Sequence, residues 1–300
     1  MRQASGKYGV VAISGDTVST VRNWMVNNIA DTKPFVASNT KGGHGRRRGY
    51  MDWNGSFEQY SGWPDLGVMP GETFDFIGYV APRSGSWGGI GPTVTGAAIC
   101  DSIKQVINWK TGDIILTTYT FSGNGELYSA GDQIFHDDSP IEALSSSRAA
   151  SPGIWYGPGE SMESIELCCE QATLTITSDN KVVMNSCGDG FMKREAGNID
   201  WRVEFVVNEP DASSLVAGSD SFVPNKYVGI QLYVDPTDHW VLEWGLIKEF
   251  SNFTVNRETG DIINYTIPIE MSIDNGEDTE NDGIIKRPGA SENWWPETEA

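Results

Sequence analysis

The residues best equipped for chemistry lie in two Gly-rich basic stretches. One reads Thr40-Lys41-Gly42-Gly43-His44-Gly45-Arg46-Arg47-Arg48-Gly49, the other Gly188-Asp189-Gly190-Phe191-Met192-Lys193-Arg194. Three consecutive guanidiniums beside a histidine offer planar, permanently charged donors to a carboxylate or a phosphate. The chain carries 41 acidic against 21 basic residues, a formal net charge of −20. Tight binding to a phosphate backbone needs cationic contacts. His44, Arg46, Arg47, Arg48, Lys193 and Arg194 are therefore expected to meet an acidic patch on a neighbouring subunit rather than nucleic acid.

Catalytic and metal-binding patterns fall short elsewhere. There is no phosphate-binding loop, no paired-histidine zinc motif and no nucleophile elbow. His44, His136 and His239 have no Cys or His at ligand spacing, and His136-Asp137-Asp138 reads as a polar turn. Asp278-x-Glu280-x-Asp282-Gly283 opens like a calcium loop, but Gly289 stands where the bidentate glutamate belongs. Cys100, Cys168, Cys169 and Cys187 have neither zinc spacing nor the density of a disulfide framework, so they read as free thiols. No stretch approaches the ~20 apolar residues that cross a bilayer, and the N-terminus lacks a signal-peptide core. The expectation is a soluble, non-enzymatic protein made in a cytoplasm, with no metal or cofactor.

Two short strings recur and show what must position these residues. Residues 49–57 read G-Y-M-D-W-N-G-S-F and residues 197–205 read G-N-I-D-W-R-V-E-F. Thr111-Gly112-Asp113-Ile114-Ile115 returns unchanged as Thr259-Gly260-Asp261-Ile262-Ile263. Both separations are 148 residues, and the same offset joins Asp31 to Asp179, Lys33 to Lys181, Arg46 to Arg194, Phe74 to Phe222, Tyr79 to Tyr227 and Ile99 to Ile247. One register without net insertion implies a tandem duplication. Trp53 and Trp201, with Asp113 and Asp261, are its strand anchors. Carboxylates retained in both copies, Asp52 and Asp200 among them, sit at turns or beside strand residues and read as structural rather than as a glycosidase pair.

The expected divisions are a first β domain over 1–122, a Ser/Gly/Pro-rich connector or arm over 123–165, a second β domain over 166–273, and an acidic tail over 274–300 that ends near Trp294-Trp295. Residues 18–122 hold 8 acidic against 9 basic residues, and residues 166–273 hold 17 against 7. The second copy is the acidic one. Its apolar residues alternate at Ile199, Trp201, Val203, Phe205 and Val207, again through Val228, Ile230, Leu232 and Val234, and again from Ile263 to Ile273. Period two with one buried face predicts half-buried strands. Pro268 removes a ladder donor, so the last of them has an edge there or leaves the sheet there. Strands are also expected over Val21–Ile29 and 33–37, separated by an Asp31-Thr32 turn, and over 172–177 and 181–185, separated by Asp179-Asn180. Helix is limited to a short piece near Ala212–Ala217. Each copy thus reads as a β-sandwich or barrel of about seven strands.

The second copy resembles the tail tube proteins of long-tailed bacteriophages. The similarity rests on the strand and turn T-L-T-I-T-S-D-N-K, the loop ending Ala196-Gly197-Asn198-Ile199-Asp200-Trp201, and Gly245-Leu246-Ile247-Lys248-Glu249-Phe250 running into R-E-T-G-D-I-I-N-Y-T-I-P-I-E-M-S. It covers roughly residues 18–122 and 166–273. The resemblance implies a mainly β protein of two tandem tail-tube-type domains. Three chains would then make a pseudo-hexameric ring, and stacked rings would enclose the DNA ejection channel of a virion tail assembled in the host cytoplasm. It implies as partners further copies of the chain, a tape measure protein, and tail terminator or hub proteins, with DNA passing through unbound and no membrane involved. The loops at 39–49 and 187–198 would reach neighbouring rings. Two rival readings are a trimeric capsid decoration (cement) protein and a tandem carbohydrate-binding module using Trp53, Trp87, Trp155, Trp240 and Trp244. Most of these tryptophans fall on apolar strand faces, which favours core packing.

Overall fold

A computed structural model describes residues 10–18, 21–35, 45–60, 68–79, 90–108, 115–134, 153–156, 164–166, 169–183, 191–208, 227–233, 239–248, 264–272 and 285–286. The regular structure among them is entirely strand. In chain order come β1 (Val10–Ile13), β2 (Asp16–Val18), β3 (Val21–Phe35), β4 (Gly45–Tyr60), β5 (Thr73–Tyr79), β6 (Ile90–Asn108), β7 (Leu116–Gly123) and β8 (Tyr128–Ile134). Then follow β9 (Gly153–Tyr156), β10 (Ser164–Glu166), β11 (Cys169–Ser178), β12 (Lys181–Val183), β13 (Lys193–Glu195) and β14 (Ile199–Asn208). Last are β15 (Tyr227–Tyr233), β16 (His239–Ile247), β17 (Asn264–Met271) and β18 (Ile285–Lys286). The protein is mainly β, with antiparallel ladders. The stretch Ala212–Ala217 lies outside the described residues.

Two compact units divide the chain. The first takes residues 1–105, 116–144 and 175–200; the second takes 106–115, 145–174 and 201–300. In the first, β1 and β2 form a hairpin through Ser14 and Gly15, whose φ angles of 51° and 96° suit a two-residue turn. β5 pairs with β1 and with β6, and β4 pairs with β3 and with β7. Period two then sends one face of each strand inward, as in β7, where Thr117, Tyr119 and Phe121 alternate inward. Val11, Ile13, Trp53, Phe57, Phe74, Phe76, Ile103, Tyr119 and Phe121 make one core cluster. The rings interlock. Phe57 stacks on Tyr119 at 4.7 Å, and Trp53 meets Phe121 edge-on at 6.0 Å.

In the second unit, Trp201, Val203, Phe205 and Val207 of β14 are buried with Val228, Ile230, Leu232, Trp240, Leu242, Ile267 and Ile269. Ile199, expected on the same face, is instead 42% exposed. β17 lies between β14 and β16 in the ladder. Pairing with β16 runs only from Gly245↔Met271 to Ile247↔Ile269, after which Lys248 N donates to the Pro268 carbonyl. A residue's N–H and C=O point to the same side of a strand. The donor that proline lacks therefore faces Lys248, at the point where the described β16–β17 ladder stops.

The 148-residue offset reappears in the pairing registers. Pro34↔Arg46 in the β3–β4 ladder has its counterpart in Val182↔Arg194 of β12–β13. Phe57↔Tyr119 of β4–β7 has its counterpart in Phe205↔Ile267 of β14–β17. β7 and β17 begin and end at equivalent residues, Leu116–Gly123 and Asn264–Met271. The β5–β6 and β15–β16 ladders differ: Tyr79 pairs Thr93, whereas its counterpart Tyr227 pairs Leu246 and a bulge follows Val228.

Three local expectations are corrected. Asp31-Thr32 is not a turn, because β3 continues through it with a register shift between Ala30 and Thr32. At the equivalent Asp179-Asn180 the strand does break, between β11 and β12. Arg46, Arg47 and Arg48 belong to β4 rather than to a loop, since the long antiparallel partner β3 supplies ladder hydrogen bonds as far as Phe35↔Gly45. The stretch 123–165 is not a bare connector: it holds β8, β9 and β10, with β8 on β6 and β9 on β15.

Candidate functional site

Gly197 and Asp179 bring the second basic stretch into position. A Cβ on Gly197 would collide with the Asp179 carbonyl, and Asp179 N donates to the Asn198 carbonyl at 2.9 Å. Gly49 stands in the same relation to Asp31, where a Cβ would lie 2.5 Å from the carbonyl oxygen. The recurrence of Asp31/Asp179 with Gly49/Gly197 therefore records a close backbone crossing. From this crossing the β12–β13 ladder projects, with Arg194 opposite Val182.

Within the first unit, Arg194 lands on Asp52. Its Nη1 donates to Asp52 Oδ1 at 2.9 Å and its Nη2 to Asp52 Oδ2 at 2.6 Å, the bidentate fork that suits a carboxylate. Nη1 also donates to the Gly123 carbonyl, and the Arg194 backbone N–H donates to Asn124 Oδ1 at 2.9 Å. Asp52 is oriented by its neighbour, since Trp53 N donates to Oδ1 at 2.9 Å. Only 10% of the Arg194 side chain and 19% of the Asp52 side chain stay accessible. A bridge of this burial differs in kind from an exposed surface pair.

Backbone and amide bonds extend the contact. Met192 N donates to the Met51 carbonyl at 3.0 Å, and Gly125 N to the Met192 carbonyl at 3.1 Å. Phe191 forms an isolated parallel bridge with Met51. Asn180 Nδ2 donates to the Cys100 carbonyl at 2.9 Å and to Asp101 Oδ1 at 2.8 Å, while Ser122 Oγ donates to Asp101 Oδ2 at 2.6 Å. Burial, with Asp101 and Glu72 nearby, pushes the Cys100 thiol up to about 12. What the arrangement does chemically is hold two pieces of protein together. Among the described residues no group of three or more His, Cys, Asp or Glu is placed to hold a metal ion.

The expected site residues separate. Arg194 is the centre of the contact, and Lys193 beside it is exposed. Arg46 is exposed in β4; Arg47 and Arg48 are described only as strand positions, opposite Lys33 and Thr32. His44, Asp113 and Asp261 lie outside the described residues. The anchors Trp53 and Trp201 are each 1% exposed. Trp53 Nε1 donates to the Gly125 carbonyl at 3.0 Å, whereas Trp201 Nε1 finds no acceptor among the described residues. Trp53 and Trp240 are fully buried, which removes them from any sugar-binding face.

Asp52, Asn124, Asn180 and the Gly123 carbonyl were not expected in the site. Asp52 is expected as a structural carboxylate, and holding Arg194 within the chain is a structural use of it. The signal that could have found it was its recurrence as Asp200 in the same register that repeats Arg46 as Arg194. A retained acid and a retained base in one repeat are candidates for each other. Neither a family model nor a curated protein matches the chain.

Proposed function

We propose that this chain is a structural subunit that assembles with copies of itself, in the manner of a phage tail tube. Two tandem β domains per chain would build a pseudo-hexameric ring from three chains, and the rings would stack around a channel for DNA. The observation that carries the reading is the recurrence of strand pairing at one offset: β4–β7 and β14–β17 share a register residue for residue, as do the outer β3–β4 ladder and β12–β13. Two copies of one building block in a chain suit a closed ring of alternating, nearly equivalent positions. The use of basic residues to clasp protein carboxylates, seen at Arg194, fits an acidic assembly protein better than a nucleic-acid binder. Negative-stain electron microscopy with light-scattering mass tests it. Rings or tubes with a mass that is a multiple of three chains are expected. A monomer at high concentration would sink the reading, and a trimer that never stacks would favour a capsid decoration protein.

A further inference from the structure

The contact between Arg194 and Asp52 is made only once in a single chain, although the sequence contains its ingredients twice. Arg46 stands 148 residues before Arg194, and Asp200 stands 148 residues after Asp52. Arg194 and Asp52 are paired at 2.6 Å and largely withdrawn from solvent. Arg46 and Asp200 are both exposed and have no ion-pair partner among the described residues. The apolar neighbours follow suit. Met51 is partly covered and bridged by Phe191, while its counterpart Ile199 is 42% exposed.

The strands that carry these residues show the same imbalance. β11 is hydrogen-bonded on two sides, to β14 and to β6. Its counterpart β3 pairs only with β4 among the described residues. Ala172, Leu174 and Ile176 of β11 are fully buried, whereas the equivalent Asn28 of β3 is exposed and Trp24 and Val26 are only half-buried. Met25 and Ile29 stand 55% and 48% exposed along this strand. A 15-residue strand with no second ladder partner among the described residues, and with apolar residues along it, is a template for pairing with another chain.

We propose that the β3–β4 hairpin of one chain docks on a second copy of the same chain, with Arg46 seated on Asp200 of that copy as Arg194 is seated on Asp52 within one chain. The contact is heterologous, arm to seat. Each added chain presents a fresh Arg46 arm and a fresh Asp200 seat, so association continues until the rotation closes a ring. Charge complementarity sets the register. The occupant is a second copy because the chain already displays the fit between these two surfaces once.

The proposal rests on the self-assembly reading, and a charge swap separates the two. In this interface Arg46→Glu faces Asp200 with a like charge, and Asp200→Arg faces Arg46 likewise. The double variant R46E/D200R restores an opposite pair. Assembly would be followed by light scattering and electron microscopy, with circular dichroism checking that each variant is folded. Each single substitution is expected to lower the assembled fraction at least tenfold, and the double variant to return it to near the parent level. If the parent assembles and the single variants do so equally well, or if the double variant stays as dispersed as the singles, the Arg46–Asp200 contact is wrong and self-assembly stands. If the parent itself never assembles, both fall together.

Discussion

Arg194 and Asp52 share two parallel hydrogen bonds, with a third from Arg194 to the Gly123 carbonyl, and both side chains are largely withdrawn from solvent. Removing one partner leaves the other charge buried without compensation. Arg194→Ala should therefore destabilise the chain by about 2–4 kcal/mol, and Arg194→Lys should recover only part of this because an ammonium cannot fork. Urea midpoints of the two variants check it; equal stability to the parent would contradict the geometry. Gly197→Ala places a methyl into the Asp179 carbonyl, a backbone obstacle that cannot swing away, and should cost about 1–3 kcal/mol or more. Cys100 supplies the pH dependence. Its thiol is pushed up from 9.0 to about 12, so the stability tied to the protonated thiol is complete below pH 9.0 and is lost as pH climbs toward about 12. Urea midpoints should fall across that window, and Cys100→Ala should flatten the part of the slope owed to this group. Native-state alkylation should also reach the half-buried Cys169 before the buried Cys100.

At the scale of elements, alternation identified β14 well, because a half-buried strand writes its period into the sequence, whereas in β17 Ile267, Pro268 and Ile269 are buried in succession. Ile199 broke the pattern since burial also needs a covering neighbour, which residue order does not record. The same limit explains Asp31-Thr32. Polar residues that end a strand when no partner continues are carried through as a bulge where β4 runs alongside. Arg46 to Arg48 looked like loop because glycines surround them, yet a ladder with β3 holds them extended. The unequal pairing of β3 and β11 leads to a further measurement. By hydrogen exchange, β3 amides that do not face β4 should exchange fast in dispersed chains and become protected in assemblies. Unchanged exchange on assembly would remove β3 from the interface.

For the molecule as a whole, the net charge of −20 sets its dealings with polyanions. The described guanidinium with the best geometry, Arg194, is committed to a carboxylate of the chain itself. Duplex DNA should therefore show no retention by the protein in gel-shift assays at physiological salt, where phosphate contacts from free cations would otherwise be measurable. A retained complex would count against a channel through which DNA passes unbound. The compact units also depart from the repeat boundaries. Residues 175–200, from the second copy, group with residues 1–105. Sequence periodicity reports which residues are alike, while compactness reports which residues found partners, and the two need not coincide.

The sequence by itself determined the strand periodicity, the 148-residue offset, the core positions of Trp53 and Trp201 and the charge balance. These are properties of residue type and order, and burial of an alternating apolar face follows from them at any site. It offered Arg194 as a contact to a neighbouring subunit, whereas the described contact of Arg194 lies within the chain. Only the tertiary structure decided what Arg194 meets, because Asp52 lies 142 residues away along the chain and is one of 41 acidic residues. A charged pair is selected by geometry, and geometry exists only after the Asp179–Gly197 crossing and the β12–β13 ladder have formed. The same folding left Arg46 and Asp200 exposed, which no reading of residue types could distinguish from their paired counterparts.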